Sequence, residues 1–290
     1  HLSTDLNYVA TSSLALNSGT IKDAATNDAT LTLPAIDNGS SLGGNKALVI
    51  DGVYPTITSV TSTATDGSFM IGDALPITVT FSEVINVVTT NGTPTLTLET
   101  GTNDAAVTYA SGTGTNTLTF NYTVAEGHAS SDLDYVATSS LALNSGTMKD
   151  GVGNDATLTL ASPGATNSLG ANKALVIDGV IPTVTNVTAT NNDGYFKADD
   201  VIGITVTFSE VINVVTTNGT PRLTLETGTN DAVVNYTSGT GTNTLTFNYT
   251  VASGHTSSDL DYVATSSLAL NSGTIKDGAG NNAPLTLASP

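Results

Sequence analysis

The stretch Asp132-Leu-Asp-Tyr-Val-Ala-Thr-Ser-Ser-Leu-Ala-Leu-Asn-Ser-Gly-Thr147 occurs three times, nearly letter for letter, starting at Asp5, Asp132 and Asp259, a step of 127 residues each time. The rest of the chain keeps that step. His1, His128 and His255 fall in register, Lys46-Ala-Leu-Val-Ile-Asp-Gly-Val53 returns at 173–180, and Ile77 to Ala105 returns at 204–232 with one change, Thr95 to Arg222. A period of this length is a whole domain, so the chain reads as a tandem array of one unit. The divisions expected are 1–53, the later part of a repeat; 54–180, a complete repeat; and 181–290, a repeat lacking its last strand. Both ends fall inside a repeat, which predicts a piece of a longer polypeptide. The alternative is a natural subunit in which the leading segment of one copy completes the open last repeat of the next, building a filament end to end.

Acidic residues number 25 against 7 basic, for a formal charge of −18. Nucleic acids and anionic lipid surfaces are poor partners for such a chain, because both are bound through Lys and Arg. Divalent cations are the partner it invites. Cysteine is absent, so no disulfide framework exists, in keeping with a bacterial exported protein. The longest aliphatic run is far short of the ~20 residues that span a bilayer, so no membrane insertion is expected. An apolar content of 39% and a repeat this long permit a core in each copy.

The repeat from Tyr54 to Val180 reads as strands throughout. Leu118, Phe120, Tyr122 and Val124 alternate with Thr117, Thr119, Asn121 and Thr123, a period of two that turns one face to a core and the other to water. The same alternation runs through Ile57 to Val60, Ile77 to Phe81, Leu96 to Leu98 and Leu158 to Leu160. Between these runs stand Asn91-Gly92, Asp66-Gly67, Gly112-Thr-Gly114 and Asp150-Gly151, residues that tolerate positive φ. About seven to nine short strands at this spacing predict an antiparallel β-sandwich of the immunoglobulin type. Copies meet at Asp51-Gly-Val-Tyr-Pro55 and Asp178-Gly-Val-Ile-Pro182, where a Pro that cannot donate to a ladder opens the next repeat. Joints this short predict stacking head to tail, roughly 40 Å per repeat at ~3.3 Å per strand residue.

The acids of the middle repeat fall mostly in loops and at the joint: Asp51, Asp66, Asp73, Glu83, Asp150 and Asp155, with Asn154 among them. Their equivalents in the next copy include Asp178, Asp193, Asp200, Glu210, Asp277 and Asn281. Clustered carboxylates repel one another unless a hard cation with several oxygen ligands sits between them, which makes calcium the expected cofactor. The competing reading is that Asp-Gly and Asp-x-x-Gly-Asn build Asx turns and nothing more. With immunoglobulin connectivity, the joint and the Asp66 loop are expected near one pole, where Glu83 or the late loop of the preceding repeat meets them. The late loop varies: Thr26 stands where Gly153 does, and Asn282 where Asp155 does.

These features together, Asp-x-x-x-Pro-Thr, Asp-Gly-x-Phe, Ile-Thr-Val-Thr-Phe-Ser-Glu, Leu-Thr-Leu-Glu-Thr-Gly, Lys-Asp-Gly-x-Gly-Asn and Asn-Lys-Ala-Leu-Val-Ile-Asp, resemble the bacterial Ig-like tandem repeats of giant surface adhesins. In particular they are similar to the long repeats of the cyanobacterial swimming-motility surface protein. The resemblance covers the whole chain. It implies tandem immunoglobulin-like antiparallel β-sandwiches at the bacterial cell surface or in an extracellular matrix, with calcium at the domain poles. The partners expected are the neighbouring repeats of the same chain, joined by other copies end to end in the filament alternative. Carried over residue by residue, it assigns ligand roles to Asp51 and Asp178, Glu83 and Glu210, and to Asp150 with Asn154 or Asp277 with Asn281.

Nothing in the sequence points to an enzyme. One His per repeat and no Cys make a poor zinc site, no nucleophile stands beside a base in a known motif, and Gly112-Thr-Gly-Thr lacks the Gly-Lys-Thr ending of a phosphate loop. His128 reads as a residue of a solvated loop. A polysaccharide- or ice-binding module is the competing class. Against it stand the absence of Trp and the core alternation of Phe81, Phe120 and Tyr122; for it stand Tyr8, Tyr135, Tyr262, the Tyr195-Phe196 pair and the Thr-x-Thr rows.

Overall fold

A computed structural model of the chain describes residues 2–3, 5–36 and 38–290. The chain is nearly all β, in curled and mainly antiparallel sheets. In the leading segment β1 (Leu2–Ser3) pairs with β2 (Ile50–Asp51), and one helical turn, α1 (Leu42–Asn45), precedes β2.

The middle repeat contributes β3 (Ile57–Ser62), β4 (Gly67–Phe69), β5 (Ala74–Val88), β6 (Thr95–Leu98), β7 (Ala105–Ser111), β8 (Thr115–Thr123), β9 (Ala129–Ser130), β10 (Leu141–Ala142) and β11 (Thr147–Lys149). The helical turn α2 (Leu169–Asn172) and β12 (Leu175–Asp178) complete it. The main sheet runs β10-β6-β7-β8-β5-β11, with β3 also on β5, and a second sheet runs β4-β12-β9. All these pairs are antiparallel except β4 with β12. Inward residues are those the alternation predicts: Leu118, Phe120, Tyr122 and Val124 lie on one core with Val60, Ile77, Val79, Leu175 and Ile177. Burying a side chain of this class stabilises the fold by about 1.5–3 kcal/mol.

The last repeat forms the same main sheet with β13 (Val184–Ala189), β14 (Val201–Val215), β15 (Arg222–Leu225), β16 (Ala232–Ser238), β17 (Thr242–Thr250), β18 (Leu268–Ala269) and β19 (Thr274–Lys276) and, among the described residues, has no counterpart of the β4-β12-β9 sheet. Its core, from Ile202 to Leu287, shares no residue with that of the middle repeat.

Three local expectations are corrected. The strand reading of 169–172 gives way to a helical turn, because the Ser168 hydroxyl accepts the Ala171 N–H and caps it. Gly92 is required for closeness rather than for positive φ: a Cβ there would stand 1.6 Å from the Asn144 carbonyl oxygen. In the late loop positive φ falls on Gly153 (+103°), not on Gly151. One turn carried no such signal. Asn144 and Ser145 have φ of +48° and +70°, and the Gly146 N–H bonds to the Leu143 carbonyl, which together make a type I′ turn without glycine at its centre. Among the described residues no helix is long and apolar enough to cross a membrane.

Candidate metal centres at the joints

The long strand β5 changes partners in its middle. Its first half pairs with β3 and β8 as far as Phe81 and Thr80, its register with β8 shifts between Thr80 and Ile85, and Asn86 to Val88 pair with β11. Ser82 and Glu83 occupy the irregularity. Ser82 secures the incoming chain: its N–H donates to the Thr56 carbonyl at 2.8 Å and its hydroxyl accepts the Thr56 N–H at 3.0 Å. The next residue, Glu83, thereby lies against the joint.

Asp150 follows β11 and organises a tight loop. Its Oδ1 accepts the N–H groups of Val152, Gly153 and Asn154 at 2.9, 2.7 and 2.9 Å, and its Oδ2 accepts the Asn154 side-chain N–H at 2.7 Å. The Asn154 amide also donates to the carbonyls of Asp51 and Val53, at 3.1 and 3.2 Å, so the loop grips the joint by its backbone. Asp51, Glu83 and Asp150 are brought together, each with a carboxylate oxygen within 4.8 Å of the others.

The second joint repeats the arrangement with Asp178, Glu210 and Asp277. Asp277 Oδ1 accepts from Ala279, Gly280 and Asn281, and Asn281 donates to Asp277 Oδ2 and to the Asp178 carbonyl. In each group the Asp of the connecting segment meets two acids of the repeat that follows.

The donor set fits a hard divalent cation. Three carboxylates converge, and Glu83 and Glu210 each carry a buried Oε1 with no hydrogen-bond partner. A buried carboxylate oxygen without a donor is costly, and a bound cation would satisfy such an atom. Both glutamates are held above the usual carboxylate range, first by burial and then by the charges of their two Asp neighbours. Asp150 moves the other way. Burial resists its ionisation, but the bonds from the Asn154 side chain and from the N–H groups of Asn154, Val152 and Gly153 outweigh it. The Asx-turn reading and the ligand reading therefore coexist, because a carboxylate held by a turn still has lone pairs to give.

The remaining acids named from the sequence do not join these groups. Asp66 pairs with Lys173 at 2.7 Å, which keeps its carboxyl below the usual range. Asp73 accepts the Met70 N–H, and Asp200 accepts the Lys197 N–H and lies 3.2 Å from its ammonium. Asp193 is exposed in its bend. The expectation that the Asp66 loop shares a pole with the first joint is not met. The turn that follows β4 instead faces the next repeat, where the Ile71 N–H donates to Asn281 Oδ1 at 3.0 Å. Asp155 pairs with Lys149, away from the group. The late loop is more uniform than its sequence: Asp23 holds Ala25 and Asn27 as Asp150 holds Val152 and Asn154, with Thr26 at φ +72° in the glycine's place.

His128 is not simply solvated. Its Nδ1 bonds the Tyr122 hydroxyl at 2.9 Å and the Ala125 N–H at 3.2 Å, and its ring stacks on Tyr122. Tyr135 and Tyr262 are core residues whose hydroxyls donate to the carbonyls of Ala161 and Ala288. Tyr195 is fully exposed and Phe196 partly so. The Thr rows spend part of their hydrogen bonding internally: Thr78 donates to the Thr61 carbonyl, and the Thr80 and Thr117 hydroxyls meet at 3.5 Å. Set against known proteins, no protein-family model matches the chain, and no curated protein matches it either.

Proposed function

We propose that the chain is a repeat region of a bacterial extracellular adhesin or matrix protein: a series of Ig-like sandwiches stacked head to tail as a stalk, with calcium at the joints. The observation that carries this reading is the pair of equivalent acid groups, each drawing one Asp from the connecting segment and two acids from the repeat that follows. A cation there ties the direction of the incoming chain to the body of the repeat. At a hundred times its dissociation constant it stabilises that arrangement by about 2.7 kcal/mol per site. The acidic surface and the absence of cysteine are in keeping with an exported rod that is neither disulfide-bonded nor bound to nucleic acid. The polysaccharide reading has less support, because two of the three equivalent tyrosines it would use are buried.

The test is small-angle scattering with a thermal melt in millimolar calcium and again in excess EDTA. The expected result is a longer, straighter particle that melts several degrees higher in calcium, with both effects reduced by Asp178→Asn or Glu210→Gln. Superimposable curves in the two buffers would sink the proposal.

A further inference from the structure

One side chain at the second joint touches the late loop, the connecting segment and the preceding repeat at once. The Asn281 amide nitrogen donates to Asp277 Oδ2 at 2.8 Å, to the Asp178 carbonyl at 2.9 Å and to the Val180 carbonyl at 3.5 Å; its Oδ1 accepts the Ile71 N–H at 3.0 Å. These partners belong to three different units: the late loop of the last repeat, the connecting segment, and the Met70–Asp73 turn of the middle repeat. The amide can face only one way. Turned over, its NH2 would oppose the Ile71 N–H, and its oxygen would oppose two carbonyls and a carboxylate. Asn281 is 5% exposed, so water cannot make good such a mismatch. The two repeats also approach closely here, since a Cβ on Gly280, at φ +112°, would lie 3.2 Å from Met70 Sδ. Asn154 makes the equivalent amide-nitrogen bonds to Asp150, Asp51 and Val53. The loop and the connecting segment therefore orient the amide by themselves and aim its oxygen at whatever turn arrives.

We infer that Asn281 is the positioning residue that couples the angle between the middle and last repeats to the acid group Asp178, Glu210 and Asp277. Two of those three residues supply acceptors for its NH2, Asp178 through its carbonyl and Asp277 through its carboxylate. A cation that draws their side chains together steadies the frame that holds the oxygen on Ile71. With the cation removed, like charges push the same residues apart and the frame loosens. The coupling rests on the reading that the group takes a cation, and by linkage it acts in both directions: docking of the turn tightens the cation as the cation tightens docking.

The turn itself offers a clean variant. The Asp73 N–H donates to the Met70 carbonyl at 3.1 Å and Gly72 stands at φ +91°, so Ile71 is the second residue of a type II turn, where proline is favoured. Ile71→Pro keeps the turn and removes the one N–H that Asn281 Oδ1 accepts; Ile71→Ala keeps that N–H and serves as the control. Because the chain has no cysteine, spin labels at Asp104→Cys and Asp231→Cys, equivalent exposed sites in the two repeats, report the distance between them. Calcium affinity is titrated in parallel, with the first group as the internal standard.

The expected result is a narrow distance distribution for the parent and for Ile71→Ala in calcium, and a broad one for Ile71→Pro with or without it. Calcium affinity at the second group should fall about 5-fold or more in Ile71→Pro, with the first group unchanged. An Ile71→Pro protein as narrow as the parent in calcium, with unaltered affinity, would overturn the inference. If the parent binds calcium at neither group, the coupling falls together with the cation reading. The widths in EDTA then decide the contact alone: a broader Ile71→Pro sustains it, and equal widths end it.

Discussion

Glu83 and Glu210 show how one residue ties the joint to pH. Each is raised above the ordinary carboxylate range by burial and by two Asp charges, so ionising it costs the folded state more than the unfolded one. That cost is absent below the unfolded pKa and complete above the raised folded pKa. Stripped of cations, the protein should therefore gain stability as pH falls from neutral through the raised glutamate range. It should lose stability at lower pH, where Asp150, whose folded pKa is lowered, gives up its hydrogen-bonded anion. Melts in EDTA across pH should show a maximum on the mildly acid side, and calcium should move that maximum to neutral pH. In EDTA at pH 7, Glu83→Gln or Glu210→Gln should raise the melting temperature by about 3 °C, the effect of relieving about 1 kcal/mol of repulsion; in calcium the same variants should melt below the parent. The Ser-Glu pair after Ile-Thr-Val-Thr-Phe marks these glutamates in the sequence. Asp66, Asp73 and Asp200 are carboxylates placed in loops just as the ligand candidates are, yet Lys173, the Met70 N–H and Lys197 take them, and residue type alone does not announce that competition.

Strands were legible because burial on one face imposes a period of two, as in Leu118 to Val124, while the joins between strands were less so. The pairing of β12 is an example: a short apolar run parallel to β4 and antiparallel to β9 leaves no mark of its partners in the sequence, yet Leu175 and Ile177 are almost wholly buried there. Ile177→Ala should destabilise the middle repeat by about 2–4 kcal/mol, through lost transfer energy and the cavity left behind, as read by denaturant unfolding. The Asn144-Ser145 turn is unmarked in the sequence for another reason. Type I′ turns are usually announced by Asn-Gly, and here an exposed Ser holds φ +70° with the glycine one place later. Asn144 is anchored, donating to Thr95 Oγ1 at 2.8 Å and to the Thr93 carbonyl at 3.2 Å. Ser145 has no such tie among the described residues. Ser145→Gly should relieve its backbone and stabilise the repeat by about 0.5–1 kcal/mol, whereas Asn144→Gly should forfeit the anchor and gain nothing; denaturant midpoints at unchanged m-value separate the two.

At the scale of the whole molecule, the two groups have different reach. The middle and last cores have no residue in common, so in EDTA each repeat should unfold in its own transition. The first group joins the leading segment to the middle repeat, through Asp51 and then Glu83 and Asp150. The second takes Asp178 from the end of β12, a strand of the middle core, and Glu210 and Asp277 from the last repeat, so its cation would bridge the two. Calcium should therefore raise both transitions and draw them together. Glu83→Gln should reduce the calcium shift of the middle repeat's transition to the part that comes through the second group and leave the last repeat responsive. Glu210→Gln should remove it from the last repeat and leave the two transitions separate at any calcium concentration. Scanning calorimetry of the two variants beside the parent distinguishes these patterns. If Glu210→Gln kept transitions that still rise and merge with calcium, the second group would not be the bond between repeats, and their coupling would have to come from other contacts at the joint, that of Ile71 with Asn281 among them.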